Sequence, residues 1–253
     1  MKLSALVVAR NEEARLGPCL ERLAFADEIV VVIDRTTDRS AEIAHRHGAR
    51  LIEGAWEFEG PRRSAGIAAC GGHWILEIDA DERVSPPLAA EIRKAIDGPE
   101  GGYFLLPMAN HIGARLVRFG WGAYNGPGAK PALFRKGAKI WGRGRVHPKI
   151  TLTGPRHWLN EPLDHYIDRD LADMIARLNR YTDLAALDAA EQGRRPKFVA
   201  AFRRIFSRGW KSYVSRRGYR EGAYGIALAL FAALYPLLTE LKLATRIERQ
   251  ETS

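Results

Sequence analysis

Four short apolar segments in the N-terminal third constrain the fold of this chain more than any other feature. They occupy residues 3–9, 28–33, 50–53 and 73–82, and each has the length and hydrophobicity of a buried strand. Segments with helix-start signals or helical periodicity separate them. This alternation predicts a doubly wound, mostly parallel α/β sheet with right-handed crossovers.

The fourth apolar segment ends in three acidic residues, Asp79, Asp81 and Glu82. In open α/β sheets, ligands bind beyond the carboxyl ends of the strands, where these acids are expected. Asp79 and Asp81 would share one face of an extended backbone, and their charges favour a hard divalent ion shared with a diphosphate. The alternative is a group of solvated acids in the turn before a helix that Ser85 caps and Pro86 begins.

Asp34 ends the second apolar segment. Nucleotide-binding sheets often place an acid there, where it accepts hydrogen bonds from a ribose or a base. A helix or turn cap is the alternative role for this residue. No glycine-rich phosphate fingerprint follows the first segment, which argues against a dinucleotide or P-loop site and leaves a metal ion to hold the phosphates.

The composition favours an anionic partner and a reducing compartment. The chain has 39 Lys and Arg against 30 Asp and Glu, a formal net charge of +9, so nucleic acid, anionic lipid and phosphorylated substrates are all compatible. The two cysteines, Cys19 and Cys70, fall in predicted helices and do not suggest a disulfide framework. Lys2 leads directly into the first apolar segment without room for a signal peptide, so we expect a cytoplasmic protein.

Ordered motifs along the chain carry a family resemblance. In the N-terminal part they are Val-Val-Ala-Arg-Asn-Glu-Glu at 7–13, Asp-Glu-Ile-Val-Val-Val-Ile-Asp at 27–34 and Ile-Asp-Ala-Asp-Glu at 78–82. These motifs resemble glycosyltransferase family 2, the inverting enzymes with a GT-A fold. Later motifs are similar to those of the branch that contains lipopolysaccharide core β-glucosyltransferases, and they lie at 133–135, 146–147, 165–166, 169–171 and 178–182.

The resemblance implies a set of residues that border the nucleotide sugar. These residues are Ala9, Arg10, Asn11, Glu12, Asp34, Arg63, Asp79, Ala80 and Asp81. Asp34 would bind the uridine, and Asp81, with Asp79 and His147, would hold Mn²⁺ or Mg²⁺ against the diphosphate. The resemblance thereby implies that a metal ion stabilises the departing UDP as a Lewis acid.

The general base is harder to assign. Relatives read Val-His-Glu where this chain has Val146-His147-Pro148, and residues 101–160 contain no Asp or Glu. Attack by a sugar hydroxyl needs a group that accepts its proton. The candidates are Glu82, Glu161, Asp164 and a neutral His147. The other two explanations are an acceptor that is already an anionic lipid phosphate, which needs no base, and a loss of activity.

The same acid-free stretch is strongly basic. Its cationic side chains are Arg115, Arg118, Lys130, Arg135, Lys136, Lys139, Arg143, Arg145, Lys149 and Arg156. They suit an anionic acceptor, although a solvated or membrane-facing surface is equally compatible. His111, His157 and His165 have no metal-ligand spacing and are most simply structural.

The last third of the chain reads as a helical, membrane-associating extension. An amphipathic helix is predicted from residue 168, and residues 194–220 carry ten Lys or Arg and no acid, interleaved with aromatic residues. Residues 222–239 then contain no charged side chain, so they are at the lower limit for a membrane span. An interfacial helix is favoured, and a buried helical hairpin is the alternative. Nucleic acid explains the charge but not the apolar segment, so we do not expect it as a partner.

Together these features predict a GT-A catalytic domain at 1–167, with a nucleotide-sugar half at 1–100 and an acceptor half at 101–167, followed by a helical extension at 168–253. The predicted enzyme is peripheral on the cytoplasmic face of the membrane. It moves a hexose from a UDP-sugar to a lipid-linked acceptor in lipopolysaccharide core or related envelope glycan synthesis. Transfer to polyprenyl phosphate and a catalytically silent glycan- or lipid-binding protein are the alternatives. The sequence does not define the donor sugar, the linkage or the oligomeric state.

Overall fold

The structure is a computed structural model that describes residues 2–98, 101–122, 126–144 and 148–251. The chain forms two compact units, one of Met1–Met108 with Ala129–His165 and one of Ala109–Gly128 with Tyr166–Ser253. The domain boundary predicted at residue 167 stays a prediction.

The strands are β1 Leu3–Ala9, β2 Glu28–Asp34, β3 Arg50–Gly54, β4 Trp74–Asp79, β5 Glu82–Arg83, β6 Tyr103–Ile112, β7 Arg115–Leu116, β8 Ala129–Arg135, β9 Lys139–Trp141, β10 Ile150–Leu152, β11 Arg156–Trp158 and β12 Leu163–Asp168. The α-helices are α1 Glu13–Glu21, α2 Ser40–Arg46, α3 Glu59–Ala69, α4 Pro86–Ile96, α5 Leu171–Glu191, α6 Phe198–Trp210 and α7 Ala223–Glu251.

The first unit is built on the parallel sheet that the apolar segments predicted. Strands β3, β2, β1 and β4 lie side by side in that order, with Val7 of β1 opposite Val31 of β2 and Ile78 of β4. All seven residues of β1 are buried, as expected for a strand whose two faces are both covered. Because β2 and β4 flank β1 on opposite sides, the strand order reverses there, and such a switch point opens a ligand crevice beyond the strand tips.

Antiparallel strands extend the sheet beyond β4. Strand β8 runs against β4 with Leu133 opposite Leu76, and β6 pairs with β8 in turn. Because the two strands run in opposite directions, the start of β8 lies beside the carboxyl end of β4. Strand β12 pairs with β5 and sets His165 opposite Glu82. Through these pairings, residues of β8 and β12 reach the carboxyl edge of the parallel strands.

Helix α3 lies unusually close to the parallel sheet. A Cβ atom at Gly66 would lie 2.5 Å from a Leu6 methyl group and 2.7 Å from one of Val32, so the helix approaches β1 and β2 only because this residue is glycine. The helix begins at Glu59. The predicted start of α4 is confirmed, since the Leu88 N–H donates to the Ser85 hydroxyl at 3.2 Å and Pro86 is the first helical residue.

The second unit is helical, with its own core. Ile112, Val117, Trp121, Met174 and Leu228 are among the residues buried in that core. Helix α6 continues into a π-helical turn, Lys211–Ser215, which a 3₁₀ turn, Gly218–Glu221, separates from α7. Helix α7 packs against α5 and α6 within this unit.

Buried polar contacts fix the turns of the second unit. The carboxylate of Glu221 accepts hydrogen bonds from the backbone N–H groups of Arg118 and Phe119 at 2.8 and 3.0 Å and from the Arg115 guanidinium at 3.2 Å. Arg115 is therefore paired with an acid of its own chain, which does not favour the anion-binding role considered for it from the sequence.

Candidate active site

The two aspartates at the end of β4 have separate partners. Asp79 is the last residue of the strand, and its Oδ1 and Oδ2 accept hydrogen bonds from Arg63 at 2.9 Å and from Lys130 at 2.7 Å. Asp81 Oδ2 lies 3.9 Å from the Arg15 guanidinium and 3.6 Å from Nε2 of His165. The extended backbone assumed for the pair ends at Asp79, and Ala80 and Asp81 lie in a turn, so a shared face for the two carboxylates stays a prediction.

The acids of β4 belong to what we call the buried ion network, which consists of Arg63, Lys130, Lys139, Glu77, Asp79 and Glu82. Arg63 lies 2.6 Å and Lys139 2.9 Å from the carboxylate of Glu77. Burial alone would raise the pKa of Glu77, but Lys139 and Arg63 outweigh it and hold that pKa at about 2. Removing one partner from such a network leaves an uncompensated buried charge. Lys130 and Lys139 are therefore structural cations of the sheet, which argues against the role in acceptor binding considered for them above.

Glu82 is an anchor within this network. Its side chain is 1% exposed, and its carboxylate accepts two hydrogen bonds from Lys130, at 2.7 and 2.9 Å, and one from the Asp79 N–H at 2.8 Å. Burial raises the pKa of Glu82, and the charge of Lys130 opposes that rise. A carboxylate so enclosed does not suit the role of general base.

The other candidate bases lie in different surroundings. Asp164 and His165 are consecutive in β12, so their side chains point to opposite faces of the strand. The backbone N–H of Glu161 donates to Glu91 at 2.9 Å, and the Glu161 side chain is half-buried. His147 lies outside the described residues. The identity of the base stays a prediction.

Asp34 ends β2 in a pocket of hydrogen-bond donors. The residue is 2% exposed; Oδ1 accepts from Arg35 Nε at 3.0 Å and from the Trp56 N–H at 3.1 Å, and Oδ2 accepts from Arg62 at 3.2 Å. Burial would raise the pKa of Asp34, but these donors outweigh it and lower that pKa. The carboxylate is therefore charged and fixed at the sheet edge where a nucleotide is expected.

Two adjacent arginines of α3 bind different acidic residues. Arg62 reaches Asp34, whereas Arg63 points to Asp79 and Glu77. Consecutive residues of an α-helix are about 100° apart around its axis, so one turn of helix supplies both sites. Arg63, which the resemblance assigned to the uridine pocket, contacts the β4 acids in this structure, and Arg62 is the arginine that sequence reasoning missed.

The tips of β1 and β2 have strained backbones. Asn11 and Arg35 adopt left-handed conformations, with φ of 54° and 48°, which non-glycine residues seldom adopt. The side chain of Asn11 accepts a hydrogen bond from the Thr37 N–H at 2.8 Å and so ties the two tips together. Such strain is concentrated at functional sites, and here it shapes the predicted nucleotide edge.

The remaining predicted nucleotide neighbours lie near these tips. Ala9 is the buried last residue of β1, and Arg10 is exposed beside it. The N–H of Glu12 donates to the Ser40 hydroxyl at 2.9 Å, which joins the start of α1 to that of α2. Ala80 is buried between the two aspartates.

Asp81 and His165 are the pair best suited to a metal ion. A carboxylate and an imidazole are compatible with Mn²⁺, whereas both oxygens of Asp79 already bind cations. Burial would lower the pKa of His165, but the hydrogen bond to Asp81 and the charges of Asp81 and Glu82 outweigh it and raise that pKa, so a metal ion bound here would have to replace the imidazole proton. The described part of the chain has no cluster of three or more His, Cys, Asp or Glu arranged around a metal position, so an ion at Asp81 needs oxygens from bound diphosphate.

Comparison with known proteins shows what this chain is similar to. The sequence profile described as Glycosyl transferase family 2 matches residues 4–120. The lipopolysaccharide core biosynthesis glycosyltransferase LpsC of Rhizobium meliloti is 28% identical across 97% of this chain and 93% of its own length. An uncharacterized glycosyltransferase of Rickettsia bellii is 24% identical across 96% of this chain and 86% of its own length. The crystal structure of S. aureus TarS 1–349 in complex with UDP-GlcNAc aligns with 99% of this chain and 92% of that chain, at 16% identity and a TM-score of 0.53.

A parallel sheet with acids at its carboxyl edge, continued by antiparallel strands, defines a GT-A fold, and the likeness to TarS shows the same fold. Residues 4–120 match glycosyltransferase family 2, as the motifs predicted, and these similarities support a glycosyltransferase.

Proposed function

We propose that the enzyme transfers a hexose from a UDP-sugar to a lipid-linked acceptor, with inversion, in lipopolysaccharide core or related cell-envelope glycan synthesis. The observation that carries the proposal is the acidic turn at the end of β4, where Asp81 and His165 lie 3.6 Å apart at the carboxyl edge of the sheet. The similarity to LpsC over nearly the whole of both chains supports the envelope-glycan assignment.

The nucleotide would bind along the tips of β1, β2 and β4. Asp34, held by Arg35 and Arg62, presents a fixed negative charge to the uridine. Asp81 and His165 would hold a divalent ion, which when bound supplies Lewis acid stabilisation to the leaving diphosphate. Arg63 and Lys130 fix Asp79, so the turn that carries Asp81 is preorganised before the donor binds.

Two kinds of nucleophile are compatible with this proposal. A sugar hydroxyl would give its proton to Glu161, Asp164 or His147. A polyprenyl phosphate or other anionic acceptor would attack without a base, and the absence of Asp and Glu from residues 101–160 favours this second candidate.

The second unit has a surface suited to a membrane. Phe198, Phe202, Phe206 and Trp210 recur every four residues on α6 and are 45%, 58%, 67% and 66% exposed, so they form one apolar stripe. Exposed arginines such as Arg203 adjoin it. Aromatic side chains flanked by cations suit an anionic lipid surface.

Helix α7 adds a second apolar face to the same unit. Ile226, Leu230 and Leu234 are exposed on α7 at the same four-residue spacing. Among the described residues, Ala223–Arg249 is the segment long and apolar enough to cross a membrane by length and composition, with a mean hydropathy of 1.7. However, Glu240 is buried in this helix and paired with Arg194 at 2.9 Å, so we propose that α7 lies on the membrane and does not span it.

UDP release tests the reaction. The protein is incubated with a panel of UDP-sugars and bacterial lipid extract, with Mn²⁺ or with a chelator. We expect metal-dependent release with one donor that requires the lipid extract. Release that needs no lipid would contradict the lipid-linked acceptor, and no turnover with any donor would favour the silent alternative.

A further inference from the structure

We propose that Lys130 is the permanent counter-ion of Asp79, so that Asp79 positions the acidic turn and is not a metal ligand. This inference rests on the proposed function, since it concerns how the same site divides its acids between a lysine and a metal ion. The sequence grouped Asp79 and Asp81 around one metal ion, and the family resemblance placed Asp79 near both the ribose and that ion.

The ammonium group of Lys130 is fully engaged. Its Nζ lies 2.7 Å from Asp79 Oδ2 and 2.9 and 2.7 Å from the two carboxylate oxygens of Glu82. An ammonium has three N–H donors, and these three acceptors match them. The lysine side chain is 13% exposed, so little solvent competes for those bonds.

The opposite oxygen of Asp79 is also engaged. Arg63 donates to Oδ1 at 2.9 Å, so the carboxylate is held between two cations. A divalent ion that approached this carboxylate would be repelled by both cations and would have to displace one from its carboxylates. Asp81 differs, because its contacts are looser: its Oδ2 lies 3.6 Å from Nε2 of His165 and 3.9 Å from the Arg15 guanidinium.

Lys130 also acts on the backbone through Glu82. The Asp79 N–H donates to Glu82 Oε2 at 2.8 Å, and the same Glu82 carboxylate binds Lys130. The lysine therefore fixes both the side chain and the amide of Asp79. Since Asp81 follows two residues later, the position of the proposed metal ligand depends on this contact. Lys130 is thus a positioning residue that acts through Asp79 and Glu82.

Mn²⁺ binding in the presence of UDP tests the division between the two aspartates without turnover. Free Mn²⁺ is measured by electron paramagnetic resonance for the full-length wild type, Asp79→Asn and Asp81→Asn, with circular dichroism to confirm folding. We expect Asp81→Asn to weaken Mn²⁺ binding about tenfold more than Asp79→Asn does, because only Asp81→Asn removes a ligand, whereas Asp79→Asn alters the support of that ligand. Equal losses in the two variants would overturn the proposal.

A test of the positioning role of Lys130 requires a variant that leaves no unpaired charge buried. Lys130→Met leaves Glu82 without a cation and Asp79 with Arg63 alone, and it is expected to unfold, so the paired change Lys130→Met with Glu82→Gln is used. We expect this double variant to weaken Mn²⁺ binding by less than Asp81→Asn does and to lower kcat more than it raises the donor KM. The conservative variant Lys130→Arg, which keeps the positive charge, should retain part of the wild-type kcat. Wild-type kcat in the double variant would overturn the role of Lys130.

The two proposals fail in different ways. If the wild-type protein binds neither UDP nor Mn²⁺, the proposed function and the metal assignment built on it are both contradicted. If the wild type binds Mn²⁺ with UDP and Asp79→Asn abolishes that binding, only the assignment of Lys130 is contradicted.

Discussion

Nε2 of His165 lies 3.6 Å from Oδ2 of Asp81, although one residue is in β12 and the other follows β4. The pairing of β12 with β5 creates this proximity, because it sets His165 opposite Glu82. An imidazole beside the acidic turn gives the site a nitrogen donor that the sequence did not reveal.

Removing the Asp81 carboxylate should abolish transfer while leaving the fold intact. Asp81→Asn keeps the shape of the side chain but removes its charge, so kcat/KM should fall by about 100-fold or more. His165→Gln should weaken activity and Mn²⁺ binding together. UDP release measures the transfer activity, and titration with Mn²⁺ measures metal binding. Glu21→Gln, an exposed acid at the end of α1, is the matched control, and an active Asp81→Asn enzyme would exclude the metal role.

Changing Asp34 should weaken nucleotide binding. Asp34→Asn leaves Arg35 and Arg62 without their shared carboxylate, and a charged hydrogen bond contributes about 1.5–3 kcal/mol. We expect the affinity for UDP to fall by about tenfold or more, measured by calorimetry. Glu53→Gln, at an exposed position near the end of β3, should bind UDP as the wild type does. Unchanged affinity in Asp34→Asn would contradict the uridine assignment.

The α6 stripe should carry membrane binding. Substituting Phe202, Phe206 and Trp210 together by Gln should lower partitioning onto anionic vesicles by at least about tenfold, because each apolar side chain contributes about 1.5–3 kcal/mol when buried. Sedimentation with vesicles measures the change. Ile140→Gln with Trp158→Gln is the matched control, since both side chains are also more than half exposed. Equal loss in the control would show that the stripe has no special role.

The close contact of α3 with the sheet should be sensitive to one methyl group. Gly66→Ala forces the helix away from Leu6 and Val32, and such overpacking costs about 1–3 kcal/mol of unfolding free energy. Gly17→Ala in α1 meets only ordinary contacts, with Ile43 at 3.7 Å, and should be neutral or stabilising by up to about 1 kcal/mol. Chemical denaturation of both variants measures the difference. Equal stability would contradict the packing described for α3.

Acid should remove a contact that holds the start of β1. The Arg93 guanidinium donates to Asp27, as do the N–H groups of Lys2 and Leu3, and these bonds hold the pKa of Asp27 well below its usual range. Its contribution to stability is therefore complete above the unfolded pKa of about 4 and is lost as the pH falls through the lower pKa of the folded state. Asp27→Asn should lower the unfolding free energy at pH 7 by about 1 kcal/mol.

Urea unfolding at pH 7 and near pH 2 checks this dependence. The difference between wild type and Asp27→Asn should shrink at the lower pH, because the Asp27 carboxylate of the unfolded wild type is then protonated, which favours unfolding. Glu42→Gln, which alters only an exposed pair with Arg46 at 3.8 Å, should show little difference at either pH. A difference for Asp27→Asn that does not change with pH would contradict the assignment.

The parallel sheet could be predicted from the sequence because the strands of this sheet are buried on both faces. Leu3–Ala9 was predicted as a strand and is one, and the acids of the fourth strand were placed at its end. Pairing register was not readable, because Lys130 and His165 reach the acids through strands that are distant in sequence. Helix orientation was a second limit: the sequence does not show which face of α3 is turned to the sheet, so Arg63 was assigned by resemblance, whereas Arg62 reaches Asp34.

The buried ion network also bears on how the protein is truncated for expression. The family profile ends at residue 120, ahead of Lys130 and Lys139, whereas Glu77, Asp79 and Glu82 all precede that point. A fragment cut there would enclose acids in the sheet without two of the cations that neutralise them, and we expect it to be insoluble. The shortest fragment that retains every partner of the acidic turn extends through residue 165.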